Sequence, residues 1–211
     1  MAKHLFIFLF IVTTLSSVSA QTSVEKLFLS MPNDLLWIEQ SQRSEIVAYY
    51  KDKKVDSIQN GMNGYCRLLD CDETTGFLSL NSSAKGNMEL KIFNDGSNPF
   101  IGVIFSICAP ACDSKITFYS TDWKQITASL PDISANDFIS GTISSENRVL
   151  ANVLLTPLFI RYNFDKETNS LIATCNAEQF LSENDWQQLK PLLQSTSIRL
   201  SYQNNRWIRQ K

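Results

Sequence analysis

Histidine is nearly missing from this chain. Of its 211 residues only His4 is a histidine, and it lies in an N-terminal stretch that reads as a removable export signal. A mature chain beginning at Gln21 has no imidazole. That excludes Ser-His-Asp and Cys-His catalysis, His-ligated zinc and histidine pH switching. Glycine is scarce as well. There are seven, where average usage of about 7% would give roughly fourteen, and none falls in a G-x-G-x-x-G or Walker pattern that would cradle a nucleotide. Positive charge is not in excess: 19 Lys and Arg stand against 21 Asp and Glu, a net charge of −2. Without a concentrated basic stripe, nucleic acid is a poor partner. After the first twenty residues no apolar run approaches the ~20 residues of a transmembrane helix. No motif implies a cofactor or a metal.

What is present describes an ordinary globular chain, with 44% apolar and 19% charged residues. Met1 to His4 is a short basic start, Leu5 to Leu15 is almost wholly apolar, and Ser16 to Ala20 ends with small residues before Gln21. This three-part layout over residues 1–20 is that of a secretory signal. It predicts a periplasmic or secreted protein in an oxidising compartment.

Five cysteines remain: Cys66, Cys71, Cys108, Cys112 and Cys175. In an exported chain, close pairs are read first as disulfides. Cys108-Ala-Pro-Ala-Cys112 follows the apolar run Phe100 to Ile107, and a three-residue turn would bring its ends to bridging distance. Cys66 and Cys71 flank a second candidate turn, Arg67 to Asp70. Loops so short remove about 2 kcal/mol or less of unfolded-state entropy. C-x-x-x-C lacks thioredoxin-type spacing, and no histidine is at hand to activate a thiol. Cys175 reads as a small buried hydrophobe.

Helical patterns open the chain. Val24, Leu27, Phe28 and Met31 share one face; Pro32-Asn33-Asp34 breaks the pattern and caps Leu35 to Ile38; Ser41 then caps a helix through Tyr50 that closes on Lys51 to Lys54. Beyond residue 54 the period becomes two. Val55–Gln59, Tyr65–Leu69, Gly76–Leu80, Met88–Phe93, Ile101–Cys108 and Ile116–Ser120 are predicted strands, separated by Asn-Gly and Asn/Ser/Asp-rich turns too short for parallel crossovers. A polar stretch, Pro131 to Asn147, divides the chain. Strands resume at Val149–Leu155, Phe159–Phe164 and Leu171–Cys175, Ser182 opens a helix through Leu193, and Ile198–Tyr202 and Arg206–Arg209 close the sequence. Ile104 to Cys108 echoes Leu171 to Cys175, either as a duplicated unit or as chance similarity between amphipathic strands. The expected fold is α+β: antiparallel β-sheets with helices packed on one face, in a unit over 21–130 and a smaller one over 131–211.

Candidate chemistry is sparse. Asp113-Ser114-Lys115 offers an acid, a hydroxyl and an amine, but neighbours on a strand point to opposite faces, so Ser114 and Lys115 would not meet. Asp70, Asp72 and Glu73 lack the spacing of a calcium loop and read as a solvated acidic turn. Trp37 and Trp186 stand at helical spacing and are expected in the core, whereas Trp123 follows a turn and is expected at the surface. Arg206, Trp207 and Arg209 mix aromatic and basic groups as partner surfaces do, although a charged terminal edge strand has the same composition.

Three segments, Leu29 to Leu36, Cys108 to Ile116 and Phe118 to Trp123, resemble a family of secreted proteins from Bacteroidales known as domain of unknown function 3256. The resemblance implies location and architecture rather than an activity. The tandem helix-plus-sheet layout is also similar, at fold level, to the β-lactamase inhibitor protein and to PepSY-type modules. Together these readings favour a non-catalytic exported binding or inhibitor-like module whose partner is a protein or glycan of the cell envelope. A carboxylate-dependent envelope hydrolase is the alternative. Membership of that order also implies O-glycosylation at Asp-Ser/Thr-aliphatic triplets, a pattern that Asp56-Ser57-Ile58 fits. Peptide mapping of the native protein is expected to find a glycan mass on Ser57; an unmodified Ser57 removes this expectation.

Overall fold

Ser23 caps the first helix. Its Oγ accepts the Lys26 N–H at 3.2 Å, and helix α1 (Val24–Ser30) buries Val24, Leu27 and Phe28. The computed structural model describes residues 22–54, 56–61, 63–94 and 98–210; the expected export signal and Val55 lie outside them. Helix α2 (Gln40–Lys51) follows, capped at Glu39 rather than Ser41, with Ile46 and Val47 buried. Leu35 to Ile38 is a turn, not a helix. Between the helices stands Arg43, 1% exposed. Its guanidinium donates to the carbonyls of Ile38 (2.6 Å), Met31 (2.6 Å) and Leu29 (3.3 Å) and to Asn33 Oδ1 (3.1 Å). A charge this deep is costly unless its donors are met; here three carbonyls and Asn33 Oδ1 meet the two terminal nitrogens, while Nε has no partner among the described residues.

Seven strands then form one antiparallel meander in chain order: β1 (Ile58–Gln59), β2 (Tyr65–Asp72), β3 (Phe77–Asn81), β4 (Gly86–Phe93), β5 (Phe100–Cys108), β6 (Cys112–Ser120) and β7 (Gln125–Ile126). Side chains alternate between its faces. Leu78, Leu80, Met88, Leu90, Ile101 and Val103 pack with α1 and α2. Phe77, Phe93, Phe100, Ile104 and Phe118 face the other way. The run Phe100 to Ile104 is buried without a break because β5 is covered on both sides.

The second unit corrects one sequence expectation. Where the sequence predicts a strand over Val149–Leu155, the chain forms helix α3 (Ser145–Leu154), with Leu155 as its C-cap. Ser144 Oγ caps it through the Asn147 N–H at 3.2 Å, and Ala151 and Leu155 reach the core while Val149 and Val153 face solvent. After it come β8 (Ile160–Phe164), β9 (Ser170–Cys175), helix α4 (Glu183–Leu189), β10 (Ser197–Gln203) and β11 (Arg206–Arg209), the strands forming a four-stranded antiparallel sheet. One end of this sheet's inner face packs on α3 and α4 through Cys175, Trp186 and Leu189. The other end, with Phe164, Leu171, Leu200 and Trp207, packs on the aromatic face of the first sheet. Among the described residues, no helix is long and apolar enough to cross a membrane.

The sheet-to-sheet seam is aromatic and close. Phe93 stacks on Phe100 at 5.1 Å and meets Phe164 and Trp207 edge-on, both at 5.4 Å. Burying each such ring contributes roughly 1.5–3 kcal/mol, against about 0–1 kcal/mol for a surface ion pair, so the seam dominates the association of the two sheets. Gly102 makes room for it. A Cβ at that position would stand 2.6 Å from Phe164 Cζ and 2.9 Å from the Phe93 ring.

Polar groups complete the join. β8 is an edge strand, and alternate N–H groups on an edge point away from the ladder. Those of Ile160, Tyr162 and Phe164 are met by Asp113 Oδ1 (3.2 Å), Ser114 Oγ (3.1 Å) and Glu89 Oε2 (2.8 Å), all side chains of the first sheet. Glu89 Oε1 also accepts from Asn163 at 2.6 Å. Burial pushes the Glu89 carboxyl above its ordinary range, against the hydrogen bonds from Phe164 and Asn163. Lys91, buried on the same face, donates to the carbonyls of Thr75 (3.1 Å) and Lys166 (2.9 Å).

Two substitutions test this seam. Gly102→Ala is expected to cost about 1–3 kcal/mol by overpacking, a melting temperature lower by about 3–10 °C for a chain of this size; an unchanged melting temperature would contradict the close approach. Glu89→Ala should cost about 1–3 kcal/mol by orphaning the Phe164 N–H, with Glu89→Gln less harmful at neutral pH. A carboxyl whose pKa is raised on folding adds stability below its unfolded pKa and loses that contribution as pH rises through the folded value. Denaturant titrations should therefore find the advantage of wild type over Glu89→Gln greatest in acid and shrinking toward neutrality.

Candidate functional site

Most residues singled out in the sequence are engaged in holding the fold. Asp70 and Asp72 are both paired with Lys166, at 2.8 and 3.0 Å, and the Lys166 contact draws the Asp72 carboxyl down to about 2. Glu73 closes the N-terminus of α1, accepting from Ser23 Oγ (2.8 Å) and from the N–H groups of Val24 and Glu25 (both 3.0 Å). Asp113 and Ser114 serve the edge of β8, while Lys115 points to solvent. The acidic cluster and the Asp-Ser-Lys run thus act as helix cap, ion pair and strand-edge acceptors.

The cysteines divide. Cys108 and Cys112 form a disulfide, S–S 2.03 Å, where the β5–β6 register sets them opposite one another. Cys112 is docked on the second unit by Gln179 at 3.2 Å and Asn176 at 2.8 Å. Cys66 and Cys71 are free thiols, contrary to the expected pairing. The expected turn between them is continuous strand β2, and five residues of strand span roughly 16 Å, beyond the ~7 Å a bridge allows. A register shift between Leu68 and Asp70 returns Cys71 to the core-facing side shared by Cys66 and Leu68. Burial pushes both thiols up to about 11 and raises Cys175, which is free and buried as expected.

The aromatic expectations need correction. Trp207 is 4% exposed and part of the seam, because it lies opposite Tyr202 on the inner face of β10–β11. It is no surface group. Arg206 is exposed, but Arg209 pairs with Asp137 and donates to the Asp132 carbonyl, so these three residues form no shared patch. Trp123 is half-buried, donating from Nε1 to Ser30 Oγ at 3.2 Å beside Tyr119. Trp186 is in the core as expected, whereas Trp37 is 71% exposed. Ser57 is exposed.

Trp37 borders the feature that the sequence did not reveal. The helices cover most of one face of the first sheet, but β5 runs on to Phe105 and Ile107, and Ile107 is 67% exposed. Between this strand end, the 35–38 turn and the β3–β4 turn lies a cleft of about 520 Å³. Its walls are held firmly. The Trp37 carbonyl accepts the Gly61 N–H at 3.0 Å, and Arg43 fixes the neighbouring Ile38 carbonyl. Asn60 ties the β3–β4 turn down, its Nδ2 donating to the Ser82 carbonyl at 2.9 Å and its Oδ1 accepting from the Gly64 N–H at 2.8 Å. Gly86 lets the turn close, since a Cβ there would stand 2.7 Å from Ser82 Oγ. Lys85 is the single charged side chain in the lining. Neither its ammonium nor Ser82 Oγ bonds to another described side chain.

Such a site supplies contact chemistry: an indole and a branched alkyl group in water, with a hydroxyl and an amine at the margin. The sequence signal that could have found it is the brevity of Asp34 to Ile38, five residues between a Pro-initiated break and the next cap. That is too short for a helix able to bury all four large apolar side chains.

The fold has a solved counterpart. "Structure of a domain of an uncharacterized protein from Porphyromonas gingivalis W83" superimposes with a TM-score of 0.75 at 20% identity, covering 89% of this chain and 98% of that one. At that identity the likeness is one of fold. No curated protein matches the sequence. The family profile described as "Protein of unknown function (DUF3256)" matches residues 15–207, and over that span the chain belongs to this family.

Proposed function

We propose that this chain is an exported, non-catalytic binding module that holds a protein or glycan of the cell envelope in the Trp37 cleft. One observation carries the reading: Trp37, 71% exposed, shares a cleft with Ile107, 67% exposed, on a turn whose backbone is pinned on both sides. Leaving each of two large apolar side chains in water forgoes roughly 1.5–3 kcal/mol of burial, and a rigid aromatic beside a concave surface is the usual anchor of recognition. The hydrolase alternative has less to draw on. Of the carboxylates that stand together, Asp70 and Asp72 are tied to Lys166, while Glu25, beside Glu73, pairs with Lys51 and Glu73 itself caps α1.

Purified protein applied to arrays of envelope glycans and peptides tests the proposal. Ligand should be retained and recovered chemically intact. Trp37→Ala should weaken retention at least about tenfold, or ~1.4 kcal/mol, with a stability change within about 0.5 kcal/mol because the side chain is at the surface. Conversion of a ligand to product, lost in Asp70→Asn or Asp72→Asn, would overturn it.

A further inference from the structure

We infer that the cleft takes a neutral saccharide, its ring lying on the Trp37 indole; this rests on the binding reading above and narrows it to a ligand class. The charge of the lining decides first. Of its side chains only Lys85 is ionised, so a cationic ligand meets no carboxylate and an anionic polymer a single counter-charge, whereas an uncharged ligand loses no ion hydration on entering. The distribution of apolar surface decides second. Trp37 and Ile107 stand on the open side of the cleft while Leu36 and Ile38 turn into the core. A wholly apolar ligand would keep one side in water. A sugar ring has an apolar C–H face and a rim of hydroxyls, and so can cover an indole while its other side stays hydrated.

The polar margin completes the match. Ser82 Oγ, without a described partner, can rotate to donate to or accept from a sugar hydroxyl. Lys85, whose ammonium has no ion-pair partner among the described residues, supplies a donor from the same turn. That turn is fixed by Asn60 and by the bonds from the Ser82 and Ser83 N–H groups to the Gly86 carbonyl (2.9 and 3.3 Å), so little ordering remains to be done on binding.

Saturation-transfer NMR and tryptophan fluorescence titrations with cellotetraose, mannotetraose and chitotetraose on the full chain test the inference. At least one should bind, with ring C–H protons receiving the transfer. Trp37→Ala should lose at least about tenfold in affinity, Trp37→Phe should lose less, and Ile107→Ser should also weaken binding. Lys85→Gln should change affinity less than about threefold, and added salt should have little effect. The inference is overturned if none of the three binds, or if binding survives Trp37→Ala in the folded variant. It falls equally if a sulfated oligosaccharide binds better, in a salt-sensitive manner that Lys85→Gln abolishes. Intact peptides retained through Trp37, with no sugar bound, would leave the binding module standing and remove the saccharide.

Discussion

The N–H groups along the free edge of β8 cannot be left unmet beneath a packed interface, and side chains of the first sheet meet them. An orphaned buried donor costs about 1–3 kcal/mol, a substantial share of the roughly 5–15 kcal/mol that holds a domain folded. The acceptors Asp113, Ser114 and Glu89 therefore fix where the second sheet lies. Around them the ring cluster of Phe93, Phe100, Phe164 and Trp207 supplies most of the attraction. Polar acceptors set the register and apolar rings supply the free energy. Neither alone would dock two meanders in one orientation.

The same requirement accounts for polar residues on a strand face that alternation would make apolar. Glu89 and Lys91 occupy the aromatic side of β4, one collecting edge donors and the other tying the Thr75 and Lys166 carbonyls. Arg43 plays the corresponding part across the sheet, gathering carbonyls from the end of α1 and the turn after it. By holding the Ile38 carbonyl it also steadies the turn that carries Trp37. The cleft is thus the outer end of a network whose inner members are structural.

Much of this architecture was legible in residue order. Alternation and Asn-Gly or Asn-Asp punctuation located most of the strands, and Cys108 and Cys112 marked a hairpin end. The failures have physical reasons. The strand expected over Val149–Leu155 is a helix, because Ser144 caps it and the stripe Leu150, Ala151, Leu154, Leu155 has helical spacing. The Cys66–Cys71 pairing assumed a turn where a bulged strand continues. The site was the least legible part. Whether Trp37 or Trp207 is buried depends on what lies across from it, and neither the first sheet over Trp207 nor the gap beside Trp37 is encoded locally.

The wiring of the first sheet bears on how the molecule is assembled. Every strand pairs with its immediate predecessor, so each hairpin can close soon after it leaves the ribosome or a translocation channel, with small loop-closure cost. The C-terminal meander differs, because its β8 edge and Trp207 find their partners only on a surface already built. Vectorial synthesis delivers the two parts in that order. The finished N-terminal sheet then acts as a template for the later strands, and a chain interrupted between them would carry an uncovered greasy flank, a ready target for chaperone or protease.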